Sequence, residues 1–128
     1  MRARKAVLPE NALCPIRNVL DRVSDRWSLL ILRALGQKGC LRFTVLRREI
    51  ADVSPRVLAQ TLRRLEQDGY VKRTVHPTIP PRVEYELTVL GRSLLAAVQP
   101  LIAWAKNNWN NVSEARASYT PPPPNVAL

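Results

Sequence analysis

The stretch LRFTVLRREIADVSPRVLAQTLRRLEQDG, Leu41 to Gly69, decides the fold. Its apolar spacing spells two short helices. In the first, Phe43, Leu46 and Ile50 recur at intervals of three and four and form one face, with Thr44 placed to cap the N-terminus. Ala51-Asp52-Val53 has room only for a turn. Ser54-Pro55 then opens the second helix, with a hydroxyl at the N-cap and proline at the first helical position, where its missing N–H costs nothing. Leu58, Leu62 and Leu65 make the buried stripe, and Gly69 supplies a left-handed stop. Opposite the leucines stand Arg56, Gln60 and Arg63, with Ala59 between them. A helix with leucines behind and Arg/Gln/Arg in front, held by a supporting helix, suits a reader of the DNA major groove.

Arginines on one helical face more often mark a solvated surface than a contact, so the segment after Gly69 shifts the balance. Tyr70 to Val75 is strand-like, HPTIPP at 76–81 interrupts it, and Val83 to Leu87 alternates again. That is a hairpin with a proline-stiffened tip. Helix, turn, helix, hairpin is the winged helix-turn-helix order, in a chain that is mainly α with a small β hairpin.

Charge points the same way. Among 128 residues, Lys and Arg number 20 against 10 Asp and Glu, a net charge of +10. Such a surface favours a polyanion, nucleic acid ahead of anionic membrane. No apolar run is long enough to span a bilayer and the N-terminus lacks a signal-peptide core, so a cytoplasmic protein is expected. An enzyme is not: there is no glycine-rich phosphate loop, and the single histidine, His76, has no ligand or nucleophile at a useful spacing. No catalytic residue, metal or cofactor is expected, and His76 is read as a turn residue or a phosphate contact.

Outward from the centre, residues 1–12 form a flexible basic arm, 13–112 the DNA-binding and dimerisation domain, and 113–128 a proline-rich disordered tail. Cys14-Pro15 opens a helix with Ile16, Val19, Leu20 and Val23 on its apolar side. Ser24-Asp25 caps the next helix, Arg26 to Leu35, whose Trp27, Leu30, Ile31, Ala34 and Leu35 pack inward. Cys40-Leu41-Arg42 is a minimal strand. After the hairpin, Thr88 caps a segment with Gly91 in its first turn, and Pro100 kinks or divides it. Its Leu94, Val98, Leu101, Ile102, Trp104 and Trp109 exceed what one small domain covers; with Ile16, Val19 and Leu20 they are the expected homodimer contact.

These residues resemble the HxlR-type winged helix-turn-helix regulators of bacteria. The resemblance rests on Cys14-Pro15, Trp27-Ser-Leu-Leu-Ile-Leu-Arg33, Arg42-Phe43 with Leu46-Arg47, and Ser54-Pro-Arg-Val-Leu58 with Leu62, Leu65, Glu66 and Gly69. It continues in Pro80-Pro-Arg-Val-Glu-Tyr85 and Leu87-Thr88 with Gly91, covering about residues 13 to 105. It implies homodimers on operator DNA, N- and C-terminal helices at the dimer contact, and in some members a sensor cysteine in the Cys-Pro pair.

The DNA-facing set is then Ser54, Arg56, Ala59, Gln60 and Arg63 on the second helix (54–68) in the major groove, Arg47 and Arg48 beside the supporting helix, and, with the wing (76–82) on the backbone or minor groove, Arg82 there with Lys72 and Arg73 close behind. The partner is double-stranded DNA with a palindromic site, and the effector a small molecule or an oxidant. Cys14 has two readings. A helix N-terminus and Arg17 one turn on favour the thiolate of a sensor; a small buried hydrophobe is the plain alternative, with a small ligand as the signal. Cys40 departs from the family pattern, leaving a Cys14–Cys40 disulfide or an inert Cys40, of which inert is favoured. A winged-helix module for binding protein is the competing function, and Arg56 with Arg63 on one face counts against it.

Overall fold

The computed structural model describes residues 15–125, so the expected basic arm and Cys14 lie outside the described residues. The order is α1 (Pro15–Val23), α2 (Ser28–Lys38), β1 (Leu41–Arg42), α3 (Phe43–Ile50), α4 (Pro55–Gln67), β2 (Val71–His76), β3 (Arg82–Leu87) and α5 (Val89–Ser118). The sheet is antiparallel in the order β1-β3-β2. Leu41 pairs with Tyr85, and β2 zips to β3 from Val71 opposite Leu87 to His76 opposite Arg82. This is a winged helix-turn-helix fold.

The core forms where three helices turn their apolar faces on the sheet. Ile31, Leu32 and Leu35 from α2, Leu46 from α3, and Leu58, Leu62 and Leu65 from α4 are almost wholly removed from water, with Val71 and Leu87 beneath them. The α4 leucines are the stripe expected from their spacing. Both ends of α4 are closed by its own sequence. Ser54 Oγ accepts from the Val57 N–H at 3.2 Å. At the other end Gly69, at φ +84°, lets its own N–H reach the Glu66 carbonyl and that of Tyr70 reach Leu65, the paired bonds of a Schellman stop.

Asp25 accepts hydrogen bonds from the N–H groups of Trp27 and Ser28 and from the Ser28 hydroxyl, so it closes the start of α2 as expected. The helix itself begins two residues later than the sequence suggested and runs on to Lys38. Leu30 is exposed rather than inward, because the buried arc of α2 is centred on Ser28, Ile31 and Leu35, and Leu30 falls off its edge. Thr44 does not cap α3: the chain passes from β1 into the helix so abruptly that Arg42, in extended conformation, is the N-cap, and no side chain caps there. Ala51 and Asp52 make the sharp turn before α4, both with positive φ.

Thr88 does start α5. Its Oγ1 accepts from the Gly91 N–H at 3.0 Å and donates to the Gly69 carbonyl, while its own N–H donates to Tyr70 O at 3.0 Å. Residues to Leu95 make one compact unit, and the helix from Ala96 onward belongs to a second. Pro100 does not divide α5, which is one continuous helix through it; a proline removes a single rung, and the ladder resumes on either side. Residues 113–118, expected as tail, are helical too. They lack an apolar stripe, but Glu, Ala and Arg are strong helix formers, and the helix stops ahead of the prolines at 121–124.

Candidate nucleic-acid interface

Because Leu58, Leu62 and Leu65 are pinned in the core, the opposite side of α4 must face out. Arg56, Gln60 and Arg63 are exposed there, and Ala59 is half-buried. Arg64 points elsewhere: it pairs with Asp25 at 3.4 Å, so it ties α4 to the start of α2 rather than adding to the exposed face. A second tie lies nearby, where Arg22 at the end of α1 grips Asp68 with Nε at 2.8 Å and a terminal nitrogen at 3.1 Å. Asp68 holds the Arg22 guanidinium above its ordinary range. Together these pairs tie α4 to the end of α1 and to the segment before α2.

Three concave surfaces collect the basic residues. Thr44, Arg47, Arg48, Asp52, Val53 and Ser54 surround an open hollow of about 630 Å³ at the N-terminus of α4. Backbone N–H groups at a helix start favour phosphate there. Arg47 is partly committed, its Nε reaching the Val53 carbonyl at 3.5 Å, whereas Arg48 is exposed. Ala59, Arg63, Glu66, Arg73 and Tyr85 line a second cleft of about 370 Å³, which brings the wing strand β2 against the outward face of α4. Lys72, next to Arg73 on β2, is exposed on the opposite face of the sheet.

The third surface, of about 380 Å³, joins Arg42, Phe43 and Thr44 to Pro81, Arg82 and Val83. Arg42 is the residue that sequence reasoning missed. It is exposed on β1 opposite Glu84, one strand from Arg82; its only local signal is a basic residue in a two-residue strand. Arg82 is placed at the base of the wing, its Nε 3.5 Å from Glu84. His76 is neither a turn residue nor free for phosphate: it ends β2, and its Nε2 lies 2.7 Å from Glu84 Oε1. The loop of the wing therefore shrinks to residues 77–81. The hydrogen bond with His76 holds the Glu84 carboxyl below its usual range.

The residues expected at a dimer contact lie apart from these surfaces along the chain. On α1, Ile16 and Leu20 are exposed and Val19 is half-buried; on α5, Leu101, Trp104 and Trp109 are exposed, and Leu94, Val98 and Ile102 are half-buried. Cys40 is exposed and pairs with no other cysteine among the described residues; desolvation and the Glu84 carboxylate push its pKa up. Among the described residues no group of His, Cys, Asp or Glu is arranged to hold a metal ion, and no helix is long and apolar enough to cross a membrane.

Fold and surface together define a winged helix-turn-helix protein with a basic, outward-facing second helix. Comparison with known proteins carries this to a family. The profile of the HxlR-like helix-turn-helix family matches residues 22–113, and the chain belongs to that family, one of transcriptional regulators and not of enzymes. It is 47% identical over 103 residues to the uncharacterized HTH-type transcriptional regulator YtfH of Escherichia coli (strain K12), covering 80% of this chain and 81% of that one. A solved structure of the proposed transcriptional regulator ytfH from Salmonella typhimurium superposes with a TM-score of 0.73 at 45% identity, covering 82% of this chain and 93% of that one. The redox regulator HypR in its reduced form superposes with a TM-score of 0.74 at 33% identity, covering 79% and 99%.

Proposed function

We propose that the protein is a homodimeric, sequence-specific regulator that binds a palindromic operator in double-stranded DNA. The observation that carries this is α4, with its leucines in the core and Arg56, Gln60 and Arg63 in solvent. In this reading Arg56, Gln60 and Arg63 meet base edges and Ala59 offers its methyl group to thymine. Ser54, Arg47 and Arg48 hold one phosphate run, and Lys72, Arg73 and Arg82, with Arg42, hold the next across the wing. The exposed apolar residues of α1 and α5 are then covered by a second copy, which puts two reading helices about one helical turn apart, or a multiple of it. Such a protein works where the DNA is, in the cytoplasm.

Selection of binding sequences from a random duplex pool tests this. A two-fold symmetric sequence, bound with steep loss of affinity as salt rises, is the expected result. No enrichment, or binding indifferent to salt, refutes it. Sedimentation at micromolar concentration supplies the dimer half of the test, and a clean 14.5 kDa species refutes that half.

A redox signal through Cys14 is supported by its place before the proline-led helix with Arg17 one turn on, and by the likeness to the redox regulator HypR. Operator affinity measured before and after peroxide, in wild type and in Cys14→Ser with Cys40→Ser as background, tests it. If affinity ignores oxidation, the signal is of another kind, with a small ligand the next to examine.

A further inference from the structure

Helix α1 is fastened to the rest of its domain at its last turn. Val23 is its one buried residue, and the helix is exposed over most of its length, Ile16, Arg17 and Leu20 included. Among the described residues, the side-chain hydrogen bonds from α1 to another element all come from Arg22. Its Nε and one terminal nitrogen take both oxygens of Asp68, at 2.8 and 3.1 Å, and that terminal nitrogen lies 3.5 Å from Gln67 Oε1. Such a fork fixes direction as well as distance, which a point charge would not. Asp68 is the C-cap of α4, where a carboxylate opposes the helix dipole. Its position is therefore unfavourable to α4 taken alone and is offset by an arginine from another helix. Since α4 is already seated by its leucines in the core, the element that the pair orients is α1.

We propose that the Arg22–Asp68 clamp makes the protein selective for the spacing between the two half-sites of its operator. This rests on the reading above, in which a second copy covers the apolar side of α1 and each copy reads one half-site through α4. The path from one reading helix to the other then runs from α4 through Asp68 and Arg22 to α1, across the two-fold contact, and back through the same parts of the second copy. Core packing keeps α4 rigid within its own domain, and the clamp keeps α1 rigid upon α4. With the clamp open, Val23 alone seats the last turn of α1, and apolar burial is non-directional. The nine residues of α1 extend about 13 Å. A swing of about 15° at the last turn therefore moves the far end by roughly 3.4 Å, the separation of successive base pairs along DNA. Arg22 and Asp68 are positioning residues on this account, acting through the direction of α1 without touching DNA.

Fluorescence-anisotropy titrations of the sequence selected from the random pool test the proposal, using duplexes of equal length with the selected spacing or with one base pair added or removed between the half-sites. Wild type is expected to bind the altered spacings about tenfold more weakly. Arg22→Ala and Asp68→Ala are each expected to cut that penalty to about twofold, and the double variant to cut it no further, because either substitution opens the same clamp. Removing Asp68 also raises the net positive charge, but that acts on all the duplexes alike and leaves their ratio unchanged. Affinity of Arg22→Ala for a duplex carrying one half-site is expected to stay within about twofold of wild type, since α4 keeps its seat in the core. Circular dichroism and sedimentation check that the variants remain folded dimers. A spacing penalty that survives either substitution, penalties that fall further in the double variant, or a variant that sediments as a monomer overturns the proposal. If wild type selects no two-fold symmetric sequence, the operator reading falls and takes this one with it; if it does and the variants keep its spacing penalty, the clamp alone falls.

Discussion

Replacing Gly91 with alanine sets helix propensity against packing. Gly91 is buried in the first turn of α5, and its N–H is held by Thr88 Oγ1. A Cβ built there falls 2.1 Å from the Tyr70 carbonyl oxygen and 3.0 Å from its carbon, both backbone atoms of the turn that ends α4. Carbon and oxygen rest at about 3.3 Å or more, so α5 or the Tyr70 turn must retreat by roughly 1 Å. Two bonds resist: Thr88 N–H to Tyr70 O, and Thr88 Oγ1 to Gly69 O. Overpacking of this kind costs about 1–3 kcal/mol, and alanine's helix propensity returns at most about 1 kcal/mol, less in a first turn. A net loss of about 2 kcal/mol is expected, a fall in Tm of roughly 5–10 °C. Urea unfolding followed by circular dichroism, at one fixed protomer concentration, measures it. A variant as stable as wild type, or more so, would refute the close approach of α5 to the Tyr70 turn.

Ser54 separates a structural role from a contact: Ser54→Ala loses the cap and about 1 kcal/mol of stability, while Ser54→Asp keeps the cap but sets a negative charge beside phosphate, so its thermal melt holds and its DNA affinity falls. In DNA titrations Arg63→Ala is expected to lose roughly 1–3 kcal/mol of discrimination between bases, whereas Arg82→Ala weakens all sequences alike and flattens the salt slope by about one unit; the reverse pattern would exchange their roles. Glu84 has its carboxyl below its ordinary range because of His76, so its contribution to stability is present above the unfolded value and lost as pH falls through the folded one. Wild type minus Glu84→Gln stability should therefore shrink as pH falls from the usual carboxylate range through the lowered folded value, and a difference still unchanged well below the usual range would contradict the pairing. Cys40, pushed up by desolvation and Glu84, should alkylate with a midpoint above the free-thiol value of about 8.5, and a midpoint at or below it would overturn that environment.

Periodicity and capping act over a few residues, so a single chain displays them. The α4 leucine stripe, its Ser54-Pro55 start and Gly69 stop, the hairpin and the Thr88 start of α5 are all legible in the sequence alone, as is the outward set Arg56, Gln60 and Arg63 that follows from the stripe. Local pattern misled where context overrode it. Leu30 shares a helical phase with buried neighbours but sits at the edge of the arc that the sheet and α4 cover. Thr44 has capping chemistry, yet the strand before it delivers Arg42 to the cap. Apolar spacing fades after Val112, but α5 continues on intrinsic propensity alone.

What only the tertiary structure decided are pairings between residues far apart in sequence. Arg22 meets Asp68 across 46 positions, and the long reach from Asp25 singles out Arg64, among the arginines of α4, as a brace rather than part of the exposed face. Arg42 joins the basic surface only because β1 pairs with β3. Each of these depends on which surfaces the core brings together, and an ion pair between distant residues leaves no spacing or period in the chain by which it can be found.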